Sequence, residues 1–134
     1  MKRFQIIMIL SICLNIVLGV CLLRYINHNC YEELYIINLT EMKESLSEYA
    51  LSFEKTALTD IISDTGTLSK LSFMMDKPFK KDMYSLYNII KLYPETITTR
   101  IEEFTEIINL LIKGDELNAE VKIDELLNKI RLNI

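Results

Sequence analysis

Residues 4–23 read FQIIMILSICLNIVLGVCLL, twenty residues without a charge, with Lys2 and Arg3 before them and Arg24 after. An α-helix rises about 1.5 Å per residue, so this run matches the ~30 Å hydrocarbon core of a bilayer. It predicts a transmembrane anchor over residues 1–24 that carries a helical domain over residues 25–134. A cleaved secretory signal is the competing reading of a basic start followed by an apolar stretch. The end of the run is LGVCLLR, without the small residues at alternate positions that signal peptidase requires. Val20 before Cys21 is too large for a lipoprotein site, and the run exceeds the ~7–15 residues of a signal core. An uncleaved anchor is the expectation; a secreted helical protein is the alternative if the segment is removed. Lys2 and Arg3 outweigh Arg24, so the N-terminus is expected in the cytoplasm and the domain outside the cell membrane. Ser11, Asn15 and Gly19, four apart, share one helix face, which makes them the candidate contact face inside the membrane.

The rest of the chain is polar enough for water. The 134 residues contain only three Gly and two Pro, too few turn residues for an all-β fold. Beyond the apolar run thirteen Lys or Arg stand against nineteen Asp or Glu, a net charge of −6. That balance excludes nucleic acid as a partner, because such affinity rests on neutralising phosphates. The basic run KPFKK at residues 77–81 reads as a solvated turn and helix start.

The fold class is all-α, an anchor helix continuing into a small antiparallel bundle of four to five helices. No Gly or Pro occurs between Tyr25 and Asp64, and Tyr35, Leu39, Met42, Leu46, Tyr49, Phe53 and Thr56 or Ala57 recur in steps of four and three. The spacing predicts one long helix leaving the bilayer, bent near Asn27, His28 and Asn29. DTGT at residues 64–67 is expected to end it, with Gly66 in a left-handed C-terminal position and Thr67 capping a short helix from Leu68 to about Met75. Asp76 is expected to cap the next helix, which has Pro78 in its first turn and carries Phe79, Met83, Leu86, Ile90 and Tyr93 on one stripe. A fourth helix starts at Pro94 and buries Ile97, Ile101, Phe104, Ile108 and Leu111, ending at Lys113 and Gly114. Asp115 caps the last, whose stripe reads Leu117, Val121, Ile123, Leu126, Leu127 and Ile130. The apolar run at residues 107–112 is only six long, so no second crossing is expected.

Chemistry is sparse. The single histidine, His28, stands two residues from Cys30, a spacing that puts the two on different helix sides and makes a poor metal site. Tyr25, Tyr31 and Tyr35 suit an aromatic belt at the membrane exit. The carboxylates at Glu32 and Glu33, at Glu102, Glu103 and Glu106, and at Asp124 and Glu125 read as solvated helix faces. No nucleophile, phosphate-binding or metal motif is present. No catalysis and no cofactor are therefore expected. Phe73, Met74, Met75, Phe79, Tyr84 and Tyr87 combine Met with aromatic rings, which makes adaptable surfaces; they are the candidate partner or ligand surface. In outline the arrangement resembles the extracytoplasmic helical bundles of bacterial receptors, in which a membrane helix runs into the bundle. The resemblance covers no motif. The expected role is a non-enzymatic, membrane-anchored interaction protein, a scaffold, accessory subunit or sensor-like domain. Its partner would be another membrane or surface protein, or a second copy. The alternative is a bundle that holds a small apolar ligand in a core lined by Met and Tyr.

Overall fold

The computed structural model describes the backbone of residues 2–132 and the side chains of residues 7–132. Six helices and no strand occur among the described residues: α1 Lys2–Ser52, α2 Lys55–Met74, α3 Lys80–Leu92, α4 Glu95–Thr99, α5 Ile101–Ile112 and α6 Glu116–Arg131. The all-helical class and the long apolar N-terminal helix agree with the sequence reading, whereas the helix boundaries differ. From Ile7 onward α1 is apolar enough to cross a membrane, with a mean hydropathy of 2.4 over its most apolar stretch. It passes Asn27, His28 and Asn29 without interruption.

α1 stops two residues before the chain reverses, and no glycine is involved. Phe53 takes the left-handed conformation at φ 53°. Its N–H donates to the Tyr49 carbonyl at 2.9 Å. This is the αL helix stop, in which the residue past the cap touches the side chain four positions back. That touch is the edge-to-face contact of the Phe53 and Tyr49 rings, 5.7 Å between centroids. A Phe in αL costs about 1–2 kcal/mol, and the ring contact offsets part of it. Phe53 thus belongs to the turn rather than to the buried stripe, and Thr56 and Ala57, expected to continue that stripe, lie beyond the turn on α2.

The break expected at residues 64–67 does not exist. α2 runs through Asp64, Thr65, Gly66 and Thr67, and Gly66 is buried within it. A Cβ at Gly66 would lie 2.8 Å from Cε2 of Tyr87, so the missing side chain admits that ring between α2 and α3. α2 ends instead in a Schellman motif: Lys77 N–H donates to Ser72 O and Asp76 N–H to Phe73 O. Asp76 is its left-handed residue, φ 54°, and so ends α2 rather than capping α3. The stop at Gly114 is as anticipated, and it forms a second Schellman motif. Gly114, φ 75°, and Asp115 donate to Leu111 O and Leu110 O. The Asp115 carboxylate then accepts from Asn118 N–H at 3.4 Å, capping α6. The helix expected from Pro94 is split at Arg100 into α4 and α5. The β-branched run Ile97, Thr98, Thr99 is a weak helix former. Thr98 is also tied to α1 through the Tyr49 hydroxyl at 2.6 Å.

Helix contacts close a ring of five, in the order α1, α2, α3, α6, α5 and back to α1. Lys77 pairs with Glu116, so the α2–α3 and α5–α6 turns share the end near Tyr35. The α1–α2 turn and α4 share the other. It follows that α3 and α6 run parallel while the remaining neighbours are antiparallel, a departure from a purely antiparallel bundle. Phe79, Phe104, Met42, Met83, Ile61 and Leu86 fill the interior, each with under 2 % exposure. On α6 the buried row is Ala119, Ile123, Leu126, Leu127 and Ile130. Leu117 and Val121, expected in it, are exposed on another side, and Tyr93, expected in the α3 row, caps that helix and is exposed.

The Gly66 and Tyr87 contact gives a double-mutant test. Gly66→Ala gains about 1 kcal/mol of helix propensity but collides with the Tyr87 ring. The single variant is expected to be no more stable than the parent. In a Tyr87→Ala background the same change is expected to stabilise by about 1 kcal/mol. Urea unfolding of the four full-length proteins in detergent micelles measures the difference.

Candidate interaction surfaces

The bundle begins at Tyr31, which is half-buried against the core, and at Tyr35, which is inside it. Residues 7–30 are exposed, with no other element packed on them. Twenty-four residues of bare helix extend ~36 Å from the bundle. Of the three tyrosines expected at the membrane exit, Tyr25 is free at 66 % exposure, while Tyr31 and Tyr35 belong to the bundle base.

At that base Lys77 is held between two groups. Its ammonium pairs with Glu116 and lies 5.2 Å from the centre of the Tyr35 ring. KPFKK is therefore a structured turn, with Lys77 half-buried and Phe79 fully buried. Burial, and then the Glu116 carboxylate, raise the pKa of the Tyr35 phenol, which keeps it protonated. The Tyr35 hydroxyl and the Asn38 side-chain oxygen are buried one turn apart without a hydrogen-bond partner in the chain.

The six Met and aromatic residues divide among three environments. Phe73, Met74 and Tyr84 are exposed and line one shallow apolar hollow of about 400 Å³ with Ser69 and Lys70. The Phe73 and Tyr84 rings meet edge to face at 6.2 Å. Tyr87 continues the α2–α3 seam over Gly66, with the Lys91 ammonium 5.8 Å from its ring centre. Met75 is half-buried against the core, and Phe79 is wholly within it. Phe79 therefore presents no surface. A wider hollow of about 770 Å³ opens between α1 and α5 beside Ala50, Ile101, Thr105 and Asn109.

Ser11, Asn15 and Gly19 are exposed along α1, and a Cβ on Gly19 would meet nothing within 4 Å. Because α1 is unbroken, their direction relative to the bundle is determined. Successive residues turn by about 100°, and the buried row of Tyr35, Leu39, Met42 and Leu46 defines the core side. Asn15, Gly19, Ile26, Cys30 and Ile37 all fall within about 30° of the opposite line. Ser11 falls about 70° from it. Ile26 at 53 % and Ile37 at 46 % exposure are bare on that line. Sequence reading missed this row because the core stripe of the same helix dominates the pattern. Its signal is a second series in alternating steps of four and seven on the far side.

Around and above Ile37 the outer side of α1 is acidic. Glu33, Glu41, Glu44 and Glu48 are exposed and form no ion pair among the described residues. Asp64 on α2 is affected by this charge. Its carboxyl is pushed up to about 6, first by burial, then by Glu41 and Asp60. Three carboxylates of α5 and α6 differ in being paired: Glu103 with Arg100, Glu106 and Glu125 with Lys122. Among the described residues no group of three His, Cys, Asp or Glu could hold a metal ion. Comparison with protein-family models, curated proteins and solved structures gave no match.

Asp64 supplies a pH test. A carboxyl whose folded pKa exceeds its unfolded value of 3.8 binds its proton more tightly when folded. Its contribution is full below pH 3.8 and is lost as pH rises to about 6. Asp64→Asn is expected to raise the melting temperature at pH 7 and to leave it nearly unchanged at pH 4. Melting curves of the two proteins across that range check the sign.

Proposed function

We propose that this chain is a single-pass membrane protein with its N-terminus in the cytoplasm and its helical bundle outside. It acts without catalysis, as a scaffold, accessory subunit or sensor-like module that binds other proteins through helix faces. Residues 1–24 are the anchor and residues 25–134 the bundle.

One observation carries the reading. α1 leaves the bundle at Tyr31 and continues through residues 7–30 with large apolar side chains uncovered, Leu10, Leu14, Leu18 and Leu22 each at 57–63 % exposure. Leaving such a surface in water costs about 25 cal/mol per Å², a cost the acyl chains of a bilayer remove. Orientation rests on Lys2 and Arg3 before the run against Arg24 after it. From Arg24 to Tyr31 the helix rises only ~10 Å, slightly more than the ~5–8 Å of one headgroup layer. The base of the bundle, with Lys77, Tyr35 and Glu116, then sits at the outer membrane–water boundary. The exposed outer row of α1 and the hollow at Phe73, Met74 and Tyr84 supply the surfaces for partners.

The native cysteines test the topology. Cys30 lies outside the span, whereas Cys13 and Cys21 lie within it. A membrane-impermeant maleimide added to spheroplasts is expected to label Cys30 alone and to give a single adduct by mass. The chain should keep its N-terminal tag and remain in the membrane after alkaline carbonate washing. Labelling only after lysis would reverse the orientation, and release of a shortened chain would mean a secreted protein.

A further inference from the structure

We propose that the outer line of α1 receives one helix of a different membrane protein, a span that continues outside the bilayer as a basic helix. The inference rests on the anchoring proposed above and assigns the chemistry of the partner.

Three observations converge on one side of one helix. Within the span, Asn15 carries an amide that has no water to bind, and Gly19 beside it allows close backbone approach. Just outside, Ile26, Cys30 and Ile37 are exposed on the same line, directly away from the bundle core. Further out the line becomes Glu44 and Glu48, with Glu33 between the two isoleucines, and none of the three has an ion-pair partner. α1 has no break along this length, so a straight partner helix meets every zone in turn. It finds small and polar groups in the lipid, apolar groups at the boundary and carboxylates beyond.

The occupant follows from the charges. Two copies of this chain share one membrane orientation and would align in parallel. Each of Glu33, Glu44 and Glu48 would then face its own counterpart, and like charges across a helix seam repel. A second copy is therefore disfavoured on the very line that carries the exposed apolar residues. A partner with Lys or Arg at the matching heights converts the same three positions into ion pairs. Its span needs a polar or small residue opposite Asn15 and Gly19.

The test uses the full chain in phosphatidylcholine vesicles with two synthetic probe helices. Both carry a poly-leucine span with one central Asn; one continues as an Ala/Lys helix, the other as an Ala/Glu helix. Energy transfer from a dye on the chain reports association. The Lys probe is expected to bind about tenfold more tightly than the Glu probe at low salt, with the difference collapsing at high salt. E33K/E44K/E48K should invert the preference, and Asn15→Leu should weaken both probes. Equal binding of the two probes would overturn the proposal. So would ready formation of a Cys30 disulfide between two copies on mild oxidation, unchanged by the charge reversals. Flotation with the vesicles after an alkaline wash reports insertion separately. A chain that floats without preference refutes the docking line, and one that does not float refutes the anchor.

Discussion

The organising constraint is the continuity of α1. From Lys2 to Ser52 no residue interrupts the helix, and two kinds of burial are arranged along it. Its outer half covers one stripe with α2 and α5, while its residues 7–30 are covered by no other described element. Helix formation is cooperative, so a helix already held by packing over residues 31–49 propagates through residues 24–30 at little further cost. The apolar segment and the bundle are then one rigid body. Which way the bundle faces is decided by the same turn angle that places Asn15 and Gly19.

The remaining helices make a closed ring rather than a row of hairpins. Short turns force neighbours to be antiparallel, yet the ring closes only because α3 and α6 lie side by side in the same direction. Each end is tied by one polar bond across elements far apart in sequence. Lys77 joins Glu116 near the base, and Tyr49 joins Thr98 at the far end. Such bonds contribute about 1 kcal/mol apiece. The large stabilisation comes from burying Leu39, Met42, Ile61, Phe79, Phe104 and Leu127, each nearly inaccessible to water.

The sequence was legible where one mechanism acted alone. The a/d stripe of α1, the row from Phe79 to Ile90, and the Gly114–Asp115 junction all followed from spacing and capping chemistry. Errors arose where tertiary contact overrode a local rule. Gly66 looks like a helix stop, but it is the gap into which the Tyr87 ring fits. Phe53 looks like one more stripe residue, but it makes the actual stop through Tyr49. Leu117 and Val121 are four apart and look like a stripe, but they lie six and two residues before Ile123, on another side of the helix, and Ala119 completes the inward row instead. The candidate surface was legible in part. Phe73, Met74 and Tyr84 do meet on the outside, whereas Phe79 is taken by the core. The outer line of α1 needed the structure, since its direction has meaning only relative to the bundle.

Continuity across the junction between the apolar run and the bundle is directly measurable. Spin labels at Val20→Cys and Thr40→Cys, with the native cysteines changed to serine, are twenty residues apart on α1. Pulsed electron–electron resonance on the full chain in lipid nanodiscs is predicted to give one narrow distribution near ~30 Å, the length of an unbroken helix. A broad distribution, or one centred well below that length, would place a hinge between Arg24 and Cys30 and contradict the rigid coupling on which the account depends.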